Sequence, residues 1–145
     1  MKSHLCKSLC AAILTVPMIF VLSACEKPQD DTPASLWDSA LYQEDTAFGD
    51  GKTTVEVEVK AEEKSVTFTL HTDEKVLGDA LLSENLITGE EGDYGMYILS
   101  VNGMTADYDT DKSYWAFYQN GNYMNVGVDA AEIADGDHYE LVREQ

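Results

Sequence analysis

The chain has 145 residues, of which 44% are hydrophobic and 25% charged, and 27 acids against 9 lysines and arginines give a net charge of -18. That balance argues against a nucleic-acid partner, whose phosphates need Lys and Arg, and against lying flat on an anionic lipid surface. The length suits one domain, and the charge itself means solubility and self-repulsion.

The first residues carry Lys2 and Lys7 and no acid, and an apolar run from Leu9 to Leu22 follows, interrupted by Thr15 and Pro17. A membrane-spanning helix needs about 20 apolar residues, so the run is too short, and its layout is that of a secretory signal. It ends in Leu22-Ser23-Ala24-Cys25, the lipobox pattern of bacterial lipoproteins. Residues 1–24 are therefore expected to be removed, and Cys25 to carry lipid that holds the protein on the extracytoplasmic face of a cell membrane. Cys6 and Cys10 leave with the signal. The mature chain then has no cysteine for a disulfide, a thiolate zinc site or a nucleophile.

Residues 25–52 read as the lipidated cysteine and a tether. Glu26 to Ser35 is polar, contains Pro28 and Pro33, and has no apolar period. Leu36, Trp37, Leu41 and Tyr42 stand out within it, and their spacing suits one or two helical turns that dock on the domain or bind something.

The folded domain is expected over 53–145. Val55, Val57 and Val59 alternate with Thr54, Glu56 and Glu58, and Val66, Phe68 and Leu70 repeat the alternation. Period two over that length predicts two half-buried strands, joined by a hairpin loop at Ala61 to Lys64. The period then changes. Thr72 or Asp73 is a candidate N-cap for a helix whose apolar stripe is Val76, Leu77, Ala80, Leu81 and Leu82. Gly78 weakens that helix by about 1 kcal/mol relative to Ala, which suits a strand packed closely on it. Gly89 and Gly92 mark an exit loop. Tyr97 to Val101 predicts a strand ending at Asn102-Gly103, and Asp107, Tyr108, Asp109 and Asp111 an acidic loop. Tyr114 to Gln119 is an aromatic strand, Asn120-Gly121 a hairpin turn, and Asn122 to Val126 the return strand. Gly127 to Asp135 is a connection with room for one helical turn, and His138 to Arg143 a final strand. The fold class is α+β: a small, mostly antiparallel β domain with one main helix.

Catalytic motifs are scarce. His71 and His138 lie near separate strand ends and make a poor metal pair without cysteines. Asp107-x-Asp109-x-Asp111 resembles the first half of a calcium loop, but position 6 is Lys112 and position 12 is Tyr118. No catalytic residue, metal site or resident cofactor is expected. The aromatic cluster Tyr114, Trp115, Phe117, Tyr118 and Tyr123 is the stronger signal. On a strand one of its faces joins the core, and the other presents tyrosines beside Asn120, Asn122 and Asn125. Flat amphipathic rings and amides suit a large planar or polar ligand, though an aromatic core strand with a capped hairpin explains them too.

Ser113-Tyr114-Trp115-Ala116-Phe117-Tyr118-Gln119-Asn120-Gly121, Asn125-Val126-Gly127-Val128 and Asp135-Gly136-Asp137-His138-Tyr139 together resemble the bacterial transcobalamin-like C-terminal domain family. Thr72 to Leu82 resembles its first helix, and Ile98 to Gly103 its Asn-Gly strand. The resemblance covers about residues 54–143. It implies an α+β domain similar to the smaller domain of the animal cobalamin carriers, with Tyr114, Trp115, Gly127 and Val128 near a corrinoid. The aromatic hairpin adds Tyr118, Asn120 and Tyr123 as candidate ligand contacts. The carriers close the ligand with a large helical barrel, for which this chain has no length. The expectation is a non-enzymatic surface lipoprotein that binds cobalamin or a related corrinoid, with a transporter or surface protein as partner. The alternative is a protein-interaction, adhesion or assembly module.

Overall fold

A computed structural model of the chain describes residues 34–145. The signal segment, Cys25 and the first part of the tether lie outside the described residues. The architecture is a six-stranded sheet in the order β1 (Thr46–Gly49), β3 (Lys64–Thr72), β2 (Thr53–Ala61), β9 (His138–Glu144), β7 (Tyr114–Gln119), β8 (Asn122–Tyr123), and a three-stranded sheet in the order β4 (Ile87–Gly92), β5 (Gly95–Val101), β6 (Met104–Thr105).

The two alternating segments form a long hairpin, β2 (Thr53–Ala61) and β3 (Lys64–Thr72). Val55 lies opposite Leu70, Val57 opposite Phe68 and Val59 opposite Val66. All six are buried, as period two requires when one face of a sheet is core. The turn is only Glu62-Glu63, with Glu62 in the left-handed region at φ 55°. β9 (His138–Glu144) runs parallel to β2 and antiparallel to β7 (Tyr114–Gln119). Tyr139 and Leu141 of β9 are thereby buried beside Phe117, whose ring stacks on Tyr139 with centroids 5.8 Å apart. Asn120 and Gly121, at φ 49° and 77°, turn β7 into the short β8 (Asn122–Tyr123). The expected return strand to Val126 therefore ends early, after Met124 N–H donates to the Phe117 carbonyl at 2.9 Å.

The helix, α1 (Leu77–Ser83), starts later than its capping signals suggest. Asp73 instead accepts a hydrogen bond from Lys52 N–H, and Thr72 Oγ1 one from Glu74 N–H. Lys75 to Leu77 lie extended along 131–133: Leu77 N–H donates to the Ala131 carbonyl at 2.9 Å, and Ile133 N–H to the Lys75 carbonyl at 3.0 Å. Leu77, Ala80 and Leu81 are buried, whereas Leu82 is exposed. Gly78 does take a close neighbour, but it is the 3-10 turn Val128–Ala130 rather than a strand: a Cβ at 78 would lie 3.0 Å from Asp129 Cα.

Two further differences concern strands. The segment with Gly89 and Gly92 is not a loop but β4 (Ile87–Gly92), paired with β5 (Gly95–Val101) through a bulge after Thr88. β6 is Met104–Thr105. Residues 36–49, assigned above to the tether, are folded onto the domain. A 3-10 turn, Leu36–Ser39, buries Trp37, whose Nε1–H donates to the Ala61 carbonyl at 2.9 Å. β1 (Thr46–Gly49) then pairs parallel with β3, and Tyr42, Phe48 and Phe68 pack edge to face. Burial of these rings fixes the segment in a way that its polar surroundings in the sequence conceal.

Candidate functional site

An open cleft of about 460 Å³ lies between the β4–β5 turn and the segment Tyr123 to Val128. Trp115 and Phe117 project from β7 onto its floor, with Ile98 from β5 and Val128 beside them. All four are buried, Trp115 at 7% exposure. The rim is wetter: Tyr94 is 87% exposed and Tyr123 57%. A volume in this range and an apolar floor with few polar groups are the usual attributes of a small-molecule site.

Two glycines let the walls meet. Gly95 has φ 107°, and a Cβ there would lie 3.0 Å from Gly127 N. A Cβ on Gly127 would lie 2.7 Å from Met96 N and run into the Asp129 carboxylate. Only bare backbone fits at this crossing. Asp129 clamps it: Oδ1 accepts from Met96 N–H at 2.7 Å, and Gly127 N–H donates to the Tyr94 carbonyl at 3.3 Å. The indole N–H of Trp115 is buried and meets no acceptor among the described residues. An orphaned buried donor of this kind costs about 1–3 kcal/mol.

The sequence-derived candidates divide into two sets. Trp115, Tyr123, Gly127 and Val128 line the cleft. Tyr114 and Tyr118, one residue out of phase with Trp115 and Phe117, turn to the other face of the sheet. Both phenols donate to the Glu144 carboxylate, at 3.1 Å and 2.7 Å. The carboxylate raises both phenol pKa values and pushes that of Tyr118 up to about 12. Tyr123 also belongs to this second group, its ring edge-on to Tyr118 at 5.5 Å. Asn120 is a turn former: its left-handed backbone donates N–H to the His138 carbonyl at 2.9 Å.

Gly95, Met96, Asp129 and Phe117 were not among the candidates. For Phe117 the signal was its shared strand face with Trp115. For the others there was none, because the crossing joins backbones distant in sequence.

The other motifs have structural employment. Asp107 caps a single helical turn, Tyr108–Asp111, by accepting from Asp109 and Thr110 N–H. Its bonds to Thr110 hold its pKa below the usual carboxylate range. Asp111 accepts from Ser113, and then from Arg143 Nη2 at 2.6 Å, and its pKa is lowered by the Ser113 bonds first and Arg143 second. In Asp135-Gly136-Asp137-His138-Tyr139, Asp135 accepts from Thr54 N–H at 2.8 Å and Asp137 accepts the Tyr139 phenol at 2.9 Å. Burial first, then Asp137, raises the Tyr139 pKa. Among the described residues no group of three or more His, Cys, Asp or Glu is placed to hold an ion.

A family described as a domain of unknown function, DUF4430, matches residues 74–140. A crystal structure from Ruminococcus gnavus ATCC 29149, provisionally described as a metal-binding protein, is 35% identical with a TM-score of 0.61. It is matched over 65% of this chain and 98% of its own length. Haptocorrin in complex with Cbi is 21% identical with a TM-score of 0.48, over 64% of this chain and 25% of haptocorrin. No curated protein sequence matches.

Proposed function

Because the chain belongs to the DUF4430 family, whose name assigns no function, we propose its role from the cleft: a non-enzymatic surface lipoprotein that binds a flat ligand, a corrinoid such as cobalamin or a relative of it. The observation that carries the reading is the aromatic floor. Trp115 and Phe117 lie at the bottom of an open cleft whose walls meet by backbone contact at Gly95 and Gly127. The sequence resemblance to transcobalamin-like domains supports the choice of ligand. A corrinoid brings its metal inside its own macrocycle, so a site of this kind needs no ring of protein donors. The cleft is open on one side and covers one edge or face of such a ligand, so affinity is modest unless a partner closes the other side. Lipid on Cys25 would hold the domain on the extracytoplasmic face, where a transporter or another surface protein could be that partner. Titrating the full chain in detergent with cobalamin, followed by corrin absorbance, tests the reading. Saturable binding is expected, and none at millimolar ligand contradicts it.

A second reading, an adhesion or assembly module, rests on the tyrosines outside the cleft. Tyr118 and Tyr123 form an edge-to-face pair, and Tyr123 is exposed. A pull-down from the parent cell envelope that depends on Tyr118 and Tyr123, and not on Trp115, favours it over ligand binding.

A further inference from the structure

Tyr94 lines the cleft at its mouth, yet it is the most exposed large hydrophobic side chain among the described residues, at 87%. It sits at the tip of the β4–β5 turn, between Gly92 and Gly95, which pair across the hairpin. The backbone there is pinned. The Tyr94 carbonyl accepts from Gly127 N–H at 3.3 Å, and Met96, two residues on, gives its N–H to Asp129 at 2.7 Å. The ring itself is free. Elsewhere Tyr42, Tyr118 and Tyr123 pack on other rings, Tyr114 and Tyr139 give their hydroxyls to carboxylates, and Tyr108 lies under the Lys112 ammonium. At its exposure Tyr94 has no such partner. Its position is in step with Met96 and Ile98, which line the cleft from β5. An exposed side chain changes rotamer in picoseconds to nanoseconds, so this ring can turn into the cleft while its backbone stays in place. Tyr123, the other exposed tyrosine of the lining, is less free, since its ring packs edge-on against Tyr118 at 5.5 Å.

We infer that Tyr94 is a binding residue of the cleft: its ring turns onto the outward face of a bound flat ligand and holds it against the floor of Trp115 and Phe117. This rests on the reading of the cleft as a ligand site, and it supplies from this chain part of the cover that the open side lacks. The contact gains by removing from water a ring that the free protein leaves there, and by stacking it on a second flat surface. It forms only once the ligand has entered, so it slows release and leaves entry unchanged.

The test uses the full chain in neutral detergent, with cobalamin as the probe. Tyr94→Ala should weaken binding about tenfold, the worth of one aromatic contact and its buried area, and stopped-flow chases should show the loss as faster dissociation. Tyr94→Phe keeps the ring and should stay within about twofold of wild type, as ordinary surface substitutions do. Tyr108→Ala, an exposed tyrosine outside the cleft lining, is the control and should bind as wild type does. Thermal melts of the free Tyr94 variants should match wild type, because the side chain touches little in the free protein. Nitration with tetranitromethane, mapped by peptide mass spectrometry, follows the ring without substitution: saturating cobalamin should protect Tyr94 and leave Tyr108 reactive. Wild-type affinity in Tyr94→Ala, an equal loss in Tyr94→Phe, or nitration of Tyr94 that ligand does not change overturns the role of the ring and leaves the ligand reading standing. Failure of the wild-type protein to bind millimolar cobalamin overturns both.

Discussion

Asn102 holds Tyr42 by both ends of its side-chain amide: Oδ1 accepts from Tyr42 N–H at 2.9 Å, and Nδ2 donates to the Tyr42 carbonyl at 2.7 Å. Asn102 is fully buried, sits at φ 52° in the β5–β6 turn, and also takes Leu41 N–H on its own carbonyl at 2.9 Å. One residue thus ties residues 36–49, on the edge of the six-stranded sheet, to the three-stranded sheet that forms a wall of the cleft. Asn102→Ala removes two hydrogen bonds and puts a Cβ-bearing residue with no compensating side chain in the left-handed region. The expected loss is about 2–4 kcal/mol, read by urea denaturation. Asn102→Gly keeps the turn and loses only the clamp, so it should be the milder variant. Equal stability of Asn102→Ala and wild type would show that residues 36–49 are not held by this contact.

Gly127→Ala tests the crossing of the cleft walls. The added methyl meets Met96 N and the Asp129 carboxylate, so the Asp129 to Met96 bond must break or the 127–128 segment must move outward. Ligand affinity should fall by tenfold or more, on the order of the effect of a 1 Å displacement at a built site. Stability should fall by about 1–3 kcal/mol. Titration and thermal melts read the two separately, and unchanged affinity would remove the crossing from the site.

Two groups of residues give stability opposite pH limits. The Tyr114 and Tyr118 pKa values are raised by Glu144, that of Tyr118 to about 12, so their contribution is complete below the unfolded value of about 10. It is lost as pH rises through the folded value. Asp107 and Asp111 have lowered pKa values, so their contribution is present above about 4 and lost as pH falls through their folded values. Denaturation across pH should therefore show a plateau between the limbs. Tyr118→Phe should flatten the alkaline limb alone, and Asp111→Asn the acid limb alone. A single substitution that moved both limbs would contradict this assignment.

Much of the fold was legible because it is local. Val55 to Val59 and Val66 to Leu70 alternate, and their register follows from a short turn. Asn120-Gly121 states its own backbone conformation, and β7 and β9 follow from aromatic and apolar alternation. What escaped depends on distant pairing. β1 is a strand because β3 offers it a parallel edge, and nothing in Thr46 to Gly49 announces that. β4 has one buried residue and two glycines, so it has no period to read. The start of α1 moved because 131–133 supply its first partners. In the candidate site the same rule holds. Trp115, Gly127 and Val128 entered with the family resemblance, whereas Gly95, Met96 and Asp129 enter only when β5 and the 127–129 segment meet. Tyr114 entered with the resemblance and Tyr118 with the aromatic hairpin, and strand parity sends both to the opposite face.

The anchor has an independent test. Cys25→Ser should prevent thioether formation and block lipoprotein processing. The precursor should then persist, or the protein appear in the medium after cleavage elsewhere. Two acyl chains give stable anchoring where one is marginal, so the wild-type protein should fractionate with membranes. Mass spectrometry of the amino-terminal peptide reads the result, and a wild-type terminus other than residue 25, or no acyl mass on Cys25, would refute the anchor.

The central claim is that a flat ligand sits on Trp115. The chain has two tryptophans, and Trp37 does not line the cleft and has its N–H bound to the Ala61 carbonyl. In a Trp37→Phe background, emission comes from Trp115 alone. Titration of that protein with a corrinoid should quench the emission saturably, with the same midpoint as the absorbance change, and Gly127→Ala should shift both midpoints together. Absorbance changes that saturate while Trp115 emission stays constant, after correction for light absorbed by the ligand, would place the ligand elsewhere and contradict the account.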